Sequence, residues 1–309
     1  GHILGVIDQG KLDEQRGVVQ NEKRQGENQP YGMTWNTISK SAYPEGHPYS
    51  WSVIGSMDDL NAAEIDEFRT FYKKFYVPNN ACLSIAGDID VKETKEWIEK
   101  YFGSIPRGED VVQPTIVEPA LGGEKRATIY DNIQLPAIFM GYKFPEQTNP
   151  DSYALEMMNE VLSGGSSSRI NKIIVEKKEM AQFAFSFNYG LEDAGIGIMA
   201  AIAAKDVNLD DIQKEFDEQI RLMQTELISE EEFQKARNKF ENDLVSANSS
   251  IAGIAENLAD NFVYYGDANR VNTLLDNYMK VTREDIQRVA LKYLTQDARV
   301  ILHYLPKEK

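Results

Sequence analysis

Cysteine is almost missing from this sequence. The one residue, Cys82, excludes an internal disulfide and any zinc site built on cysteine thiolates. It sits in the apolar run Ala81-Cys82-Leu83-Ser84-Ile85-Ala86, which predicts a buried structural thiol and leaves the compartment open. Histidine is scarce as well: the three are His2, His47 and His303, and none has a second metal ligand at helical spacing. His47, in Gly46-His47-Pro48-Tyr49, is expected to order a turn, and His303 to be a structural residue of the terminal strand. Positive charge is also short, with 33 Lys and Arg against 49 Asp and Glu and a formal net charge of -16. A phosphate-binding surface needs clustered Lys and Arg, so nucleic acid is excluded as a partner. No apolar run approaches the roughly 18 residues that span a bilayer, so no transmembrane segment is expected, and no signal-peptide pattern opens the residues given. Neither a Gly-x-Ser-x-Gly elbow nor a phosphate loop is present. Gly164-Gly165-Ser166-Ser167-Ser168 precedes a helix but lacks the lysine of such a loop, and predicts a flexible turn.

What is there suits a globular α+β protein. The 309 residues leave room for two domains, and 42% hydrophobic with 27% charged residues is an ordinary globular balance. Spacing predicts helices over about Asp13 to Lys23 and Tyr31 to Ala42. A capping box at Asn61-Ala62-Ala63-Glu64 then starts a helix carrying Ile65, Phe68, Tyr72, Phe75 and Tyr76. Pro78-Asn79-Asn80 stops it, Cys82 to Ala86 reads as a buried strand, and Val91 to Phe102 as a helix with Trp97, Ile98 and Tyr101 inward. Gly103 to Gly123, rich in Pro and Gly, reads as a linker. Beyond it come strands Ala127 to Asp131 and Ala137 to Lys143, then helices Ser152 to Leu162 and Arg169 to Lys177. A hairpin, Phe183 to Tyr189 with Gly195 to Ala203, leads into further helices from Asp210 to Tyr278. Helix Thr282 to Tyr293 and strand Arg299 to Leu305 end the pattern. Asn61 to Ala86 and Thr282 to Leu302 share one order: cap, amphipathic helix, aromatic end, polar turn, apolar strand. That echo suggests duplicated domains, with the first truncated at its N-terminus.

One segment carries chemistry: Leu12-Asp13-Glu14-Gln15-Arg16-Gly17-Val18-Val19-Gln20-Asn21-Glu22. It resembles the insulinase, pitrilysin and mitochondrial-processing-peptidase family of zinc peptidases. There, a His-x-x-Glu-His helix gives two ligands and the general base, and a later Arg-x-Val-Val-x-x-Glu stretch ends in the third ligand. Glu22 matches that glutamate. Asn28-Gln29-Pro30-Tyr31, Gly46-His47-Pro48-Tyr49, Phe75-Tyr76-Val77-Pro78-Asn79-Asn80 and Ser229 to Ala236 are similar to further family segments in the same order. The resemblance implies an α+β fold of duplicated domains, each a mixed or antiparallel sheet with helices packed on one face. It sets residues 1–106 as the C-terminal part of a metal-bearing domain, 107–124 as a linker and 125–309 as a second, homologous domain.

The resemblance further implies zinc in the complete protein, a peptide substrate held in an enclosed chamber, and a second half or homologous partner subunit closing it. His-x-x-Glu-His is absent from the 309 residues, and the general base is expected upstream of Gly1. The chain alone is therefore expected to bind no zinc and cleave nothing. Catalytic zinc wants three protein ligands and an open position for water, and Glu22 is one of the three. A family glutamate seven residues before the ligand is Gln15 here, a neutral amide that can hydrogen-bond beside the site but cannot tune the metal by charge. Glu14 is turned about 100° away and is a poor substitute. Where some relatives carry an Arg and a Tyr that reach the substrate backbone, this sequence has Glu176 and Phe183. That arrangement fits a metal-bearing half whose substrate clamp comes from its partner. The alternative is a noncatalytic member of the same family, serving as a structural or peptide-binding subunit; Gln15 points toward it and Glu22 against.

Overall fold

The computed structural model describes residues 8–117 and 119–307. Gly1, His2 and Glu118 lie outside the described residues, so the expectation of a general base upstream of Gly1 meets no structural observation here. In chain order the helices are α1 (Gln9–Glu27), α2 (Thr34–Ala42), α3 (Met57–Ala62), α4 (Ile65–Phe75) and α5 (Val91–Phe102). Strands β1 (Lys125–Asp131) and β2 (Ala137–Phe144) follow, then α6 (Asp151–Ser163), the hairpin β3 (Ala181–Gly190) and β4 (Gly195–Ala203), and α7 (Leu209–Thr225). The chain finishes through α8 (Glu230–Ala247), α9 (Ile251–Tyr265), α10 (Leu274–Lys280), α11 (Arg283–Tyr293) and β5 (Arg299–Pro306). It forms two compact units: residues 1–25, 54–115 and 243–273 make the first, and 26–53, 116–242 and 274–309 the second.

The second unit holds a five-stranded mixed sheet in the order β1-β5-β2-β4-β3. β1 runs parallel to β5, and the remaining pairings are antiparallel. β2 and β4 are buried nearly throughout, as their continuous apolar sequences Ala137-Ile138-Phe139-Met140 and Ile196 to Ala203 require. One face receives α6, α7 and α11, whose Met157, Phe216 and Val289 are wholly buried. The opposite face is filled by α2, where Ile38 packs with Phe139, Ile198 and Leu302. Gly141 lies under Ile38: a Cβ there would meet the Ile38 side chain at 2.9 Å, so the helix can approach only a glycine.

Ionic ties hold the periphery. Asp151, at the start of α6, accepts hydrogen bonds from Arg288, Lys292 and Tyr293 of α11. Burial alone would raise its carboxyl, but these donors outweigh it and hold the group at about 2. Arg299 of β5, itself buried, bonds Glu124, Asp217 and the Tyr142 hydroxyl.

The first unit contrasts sharply. Among its described residues only Leu12, Lys23, Thr94 and Asn261 are buried. Here several expectations are corrected. Cys82 to Ala86 forms no strand, and Cys82 is exposed. A strand exists only when a neighbour takes its N–H and C=O groups, and no described residue pairs with this one. For the same reason Trp97 and Tyr101 of α5 are 51% and 65% exposed instead of inward. The capping box lies later than Asn61. α3 is a separate helix capped by Ser56, and α4 starts after Glu64, whose N–H donates to Glu67. Tyr31 to Met33 is a turn ahead of α2, with Tyr31 at φ +62. Asn171–Lys177 is helical, as expected, but in the wider π form.

Candidate functional site

Helix α1 owes its form to one partly buried stripe, Leu12, Arg16, Val19 and Lys23, at helical spacing. Gln9 and Arg16 both bond Asp13 along the same helix. Gly26 to Pro30 ends it. Lys11, Gln15, Val18 and Glu22 form an adjacent, exposed stripe, about 100° around the helix. Seven residues bring a helix round to within about 20° of its starting direction, so Gln15 and Glu22 share one exposed face. Val18 between them is 52% exposed. Glu22 makes no hydrogen bond or ion pair with any described residue, leaving its carboxylate oxygens available.

The roll of this helix is fixed from its flank. Arg16 Nη1 donates to Asp13 Oδ1 at 2.7 Å, and Nη2 to the carbonyl of Ala63 at 2.5 Å. Ala63 is the C-cap of α3, so the guanidinium meets the negative end of a helix. Four residues on, Gln20 Nε2 donates to Asn61 Oδ1 at 2.7 Å. Arg16 Nε is buried without a hydrogen-bond partner among the described residues. Beside these ties an open hollow of about 570 Å³ is walled by Leu12, Gln15, Arg16, Val19, Leu60 and Phe68. Arg16 belongs to the Arg-x-Val-Val-x-x-Glu run, but its distant partner, the Ala63 carbonyl 47 residues on, left no mark in the sequence.

The histidines have other duties. His47 is buried in the second unit, where Nδ1 accepts from the Tyr49 N–H and its ring stacks on Tyr43 at 4.8 Å. That is the turn-ordering role expected of it, and Tyr49 carries the loop to the Asp193 carboxylate at the β3–β4 turn. His303 lies in β5, with Nε2 3.9 Å from Asp210. Burial pushes its imidazole down, only partly offset by Asp210. Among the described residues no group of three or more His, Cys, Asp or Glu side chains could hold a metal. Glu22 has the donor chemistry of one corner of a catalytic zinc site, and the described residues do not supply the other two.

Ser229, Glu176 and Phe183 all lie in the second unit. Ser229 caps α8 and exchanges bonds with Glu232, which also takes both arms of Arg169. Burial would raise Glu232, but Arg169 and the Ser229 N–H hold it at about 2. Glu176 is exposed on the π-helix. Phe183, 57% exposed, begins a row on edge strand β3 with Phe185 and Phe187, at ring spacings of 5.3 and 6.0 Å.

Residues 62–240 match the profile of a family described as the peptidase M16 inactive domain. The chain belongs to that family. Gln15 and Glu22 precede the matched residues. This M16 chain is 29% identical over 294 residues to the zinc protease PqqE of Helicobacter pylori, covering 93% of the chain and 66% of the relative. It is 24% identical over 308 residues to the mitochondrial-processing peptidase subunit beta of Blastocladiella emersonii, covering 95% and 64%. It therefore spans about two thirds of the length of these curated relatives. The crystal structure of a protease from Helicobacter pylori superposes with a TM-score of 0.89 at 26% identity, over 97% of this chain and 73% of that one. A peptidase M16 inactive domain from Pseudomonas fluorescens gives 0.86 at 15% identity, over 98% and 72%, a likeness of fold alone. The α+β class and the M16 peptidase resemblance are thus confirmed.

Proposed function

We propose that this chain is part of a zinc-dependent endopeptidase in which Glu22 supplies the third metal ligand. The carrying observation is the exposed carboxylate of Glu22 on α1, which has no hydrogen bond or ion pair among the described residues and ends the Arg-x-Val-Val-x-x-Glu run. In this reading residues 1–106 are part of the metal-bearing domain and 125–309 a second copy of the same design. On the same reading the His-x-x-Glu-His helix, with the general base, is expected upstream of Gly1. Among the described residues the apolar sides of α4 and α5 are exposed and Cys82 to Ala86 has no ladder partner, which supports a first domain completed by further residues. Zinc, when bound in the complete protein, would lower the pKa of a water for attack on a peptide carbonyl. Gln15, beside Glu22, would give that site a neutral hydrogen-bonding neighbour. Peptides would be enclosed in a chamber closed by a second half or a homologous partner subunit, and the 309 residues alone would be inactive.

Zinc content and cleavage of an unstructured peptide by the full-length parent, beside this chain, test the reading. About one zinc per parent chain, lost in Glu22→Gln, is expected. A parent that binds no zinc, with its natural partner present, would instead favour a noncatalytic structural or peptide-binding subunit. Gln15 is the observation that favours this second reading.

A further inference from the structure

We propose that Arg16 is a positioning residue for Glu22, setting the roll of α1 by clamping it to the end of α3. The inference rests on the reading of Glu22 as a metal ligand. Arg16 lies six residues before Glu22, about 9 Å down the helix and roughly 120° around it. It therefore cannot touch a metal held by Glu22 and acts only through the helix. Its two arms bridge Asp13 on α1 and the Ala63 carbonyl at the C-cap of α3. The Gln20 bond to Asn61 gives a second point of attachment along the same flank. Two points spaced along an axis resist rotation as well as sliding.

The need for such a clamp follows from lever arms. A glutamate carboxylate stands about 6 to 7 Å from the helix axis, so a roll of about 20° carries it roughly 2 Å. Zinc–oxygen distances tolerate only about 0.2 Å. The face bearing Gln15, Val18 and Glu22 is exposed, and Glu22 has no bond of its own among the described residues to hold it in place. Precision must come from the flank that carries Arg16 and Gln20, whose side chains make the ties found there. The planar fork matters as much as the charge, because lysine offers one point donor where arginine spans Asp13 and Ala63 together.

The test uses the full-length parent protein with Arg16→Met, Arg16→Lys, Asn61→Ala and Glu22→Gln. Zinc affinity is read by chelator competition, coordination geometry by the visible absorption of the cobalt(II) form, and folding by the melting midpoint of the metal-free protein. Arg16→Met should weaken zinc about tenfold or more and shift the cobalt bands, with Arg16→Lys in between. Asn61→Ala, which leaves no buried charge behind, should weaken zinc less, by about threefold, and serves if Arg16→Met does not fold. A purely structural role would lower the midpoint and leave the cobalt bands of folded protein unchanged; that result, or unchanged zinc affinity in both Arg16→Lys and Asn61→Ala, overturns the proposal. If Glu22→Gln also leaves zinc undiminished, the ligand reading itself fails. If Glu22→Gln strips zinc while the clamp variants retain it, only the clamp is wrong.

Discussion

The same local design occurs twice in this chain with opposite outcomes. Thr282 caps α11, which ends in Tyr293 and leads into Val300-Ile301-Leu302, each essentially buried between β1 and β2. Glu64 precedes α4, which ends near Tyr76 and leads into Leu83-Ser84-Ile85, where Leu83 is 58% and Ile85 41% exposed and no strand forms. The helices are alike, with caps, an apolar face and an aromatic end. What differs is the company of the following segment. Apolar sequence makes a segment ready to become a strand, and hydrogen-bonding neighbours decide whether it does.

The comparison is sharpened first by deleting equivalent side chains. Leu302→Ala should cost about 2 to 5 kcal/mol of second-unit stability, and Leu83→Ala less than about 0.5 in this chain. Urea denaturation followed by hydrogen exchange in each unit separates the two. Equal costs would mean that the Leu83 segment is packed after all. A second difference is acid sensitivity. The Asp151 carboxyl is held at about 2, below its ordinary value, so its contribution is full above pH 4 and is lost as pH falls from about 4 toward 2. Asp151→Asn should cost about 1 to 2 kcal/mol at neutral pH and flatten that acid limb in urea midpoints measured from pH 5 to 2. Third, Thr282→Ala should cost about 1 kcal/mol by freeing the Asp285 N–H. A thermal midpoint unmoved by that change would show the α11 cap to be redundant. The smallest effect is expected at His303, whose folded imidazole is depressed below 6.5 by burial. Protons then bind the unfolded chain preferentially, so stability falls as pH drops below about 6.5. His303→Gln should remove that slope, by less than about 1 kcal/mol between pH 7 and 5.

Much of the fold was legible because periodicity and punctuation coincide. Val91–Phe102 lies between an Asp90 cap and Gly103, and Gly195–Ala203 is an unbroken apolar run after a Gly-Leu-Glu-Asp turn; both were located to the residue. The unread parts depend on partners. Trp97 on an amphipathic helix looks inward in sequence whether or not anything covers it. The π form of Asn171–Lys177 is equally hidden, since a one-residue change in hydrogen-bond register hardly alters the side-chain pattern. That Ile38 fills one face of the sheet is a contact across about a hundred residues and has no local signature. At the candidate site the sequence located Glu22 and Gln15 on one helix face, because that inference needs only the helical repeat. The Arg16 bond to Ala63 was out of reach, because it depends on where the chain returns.

The placing of β5 has a consequence for synthesis. A nascent chain that has reached Tyr293 carries β1, β2 and the β3–β4 hairpin but not the strand that joins β1 to β2. Until Arg299–Pro306 arrives, β1 has no partner and β2 shows an open edge of apolar backbone. The sheet therefore cannot close by growing outward from its first strands during translation, and it stays exposed to mispairing over some 170 residues of elongation. Loss of Arg299–Pro306 alone would leave β1 a lone strand and β2-β4-β3 a three-stranded remnant with a sticky inner rim.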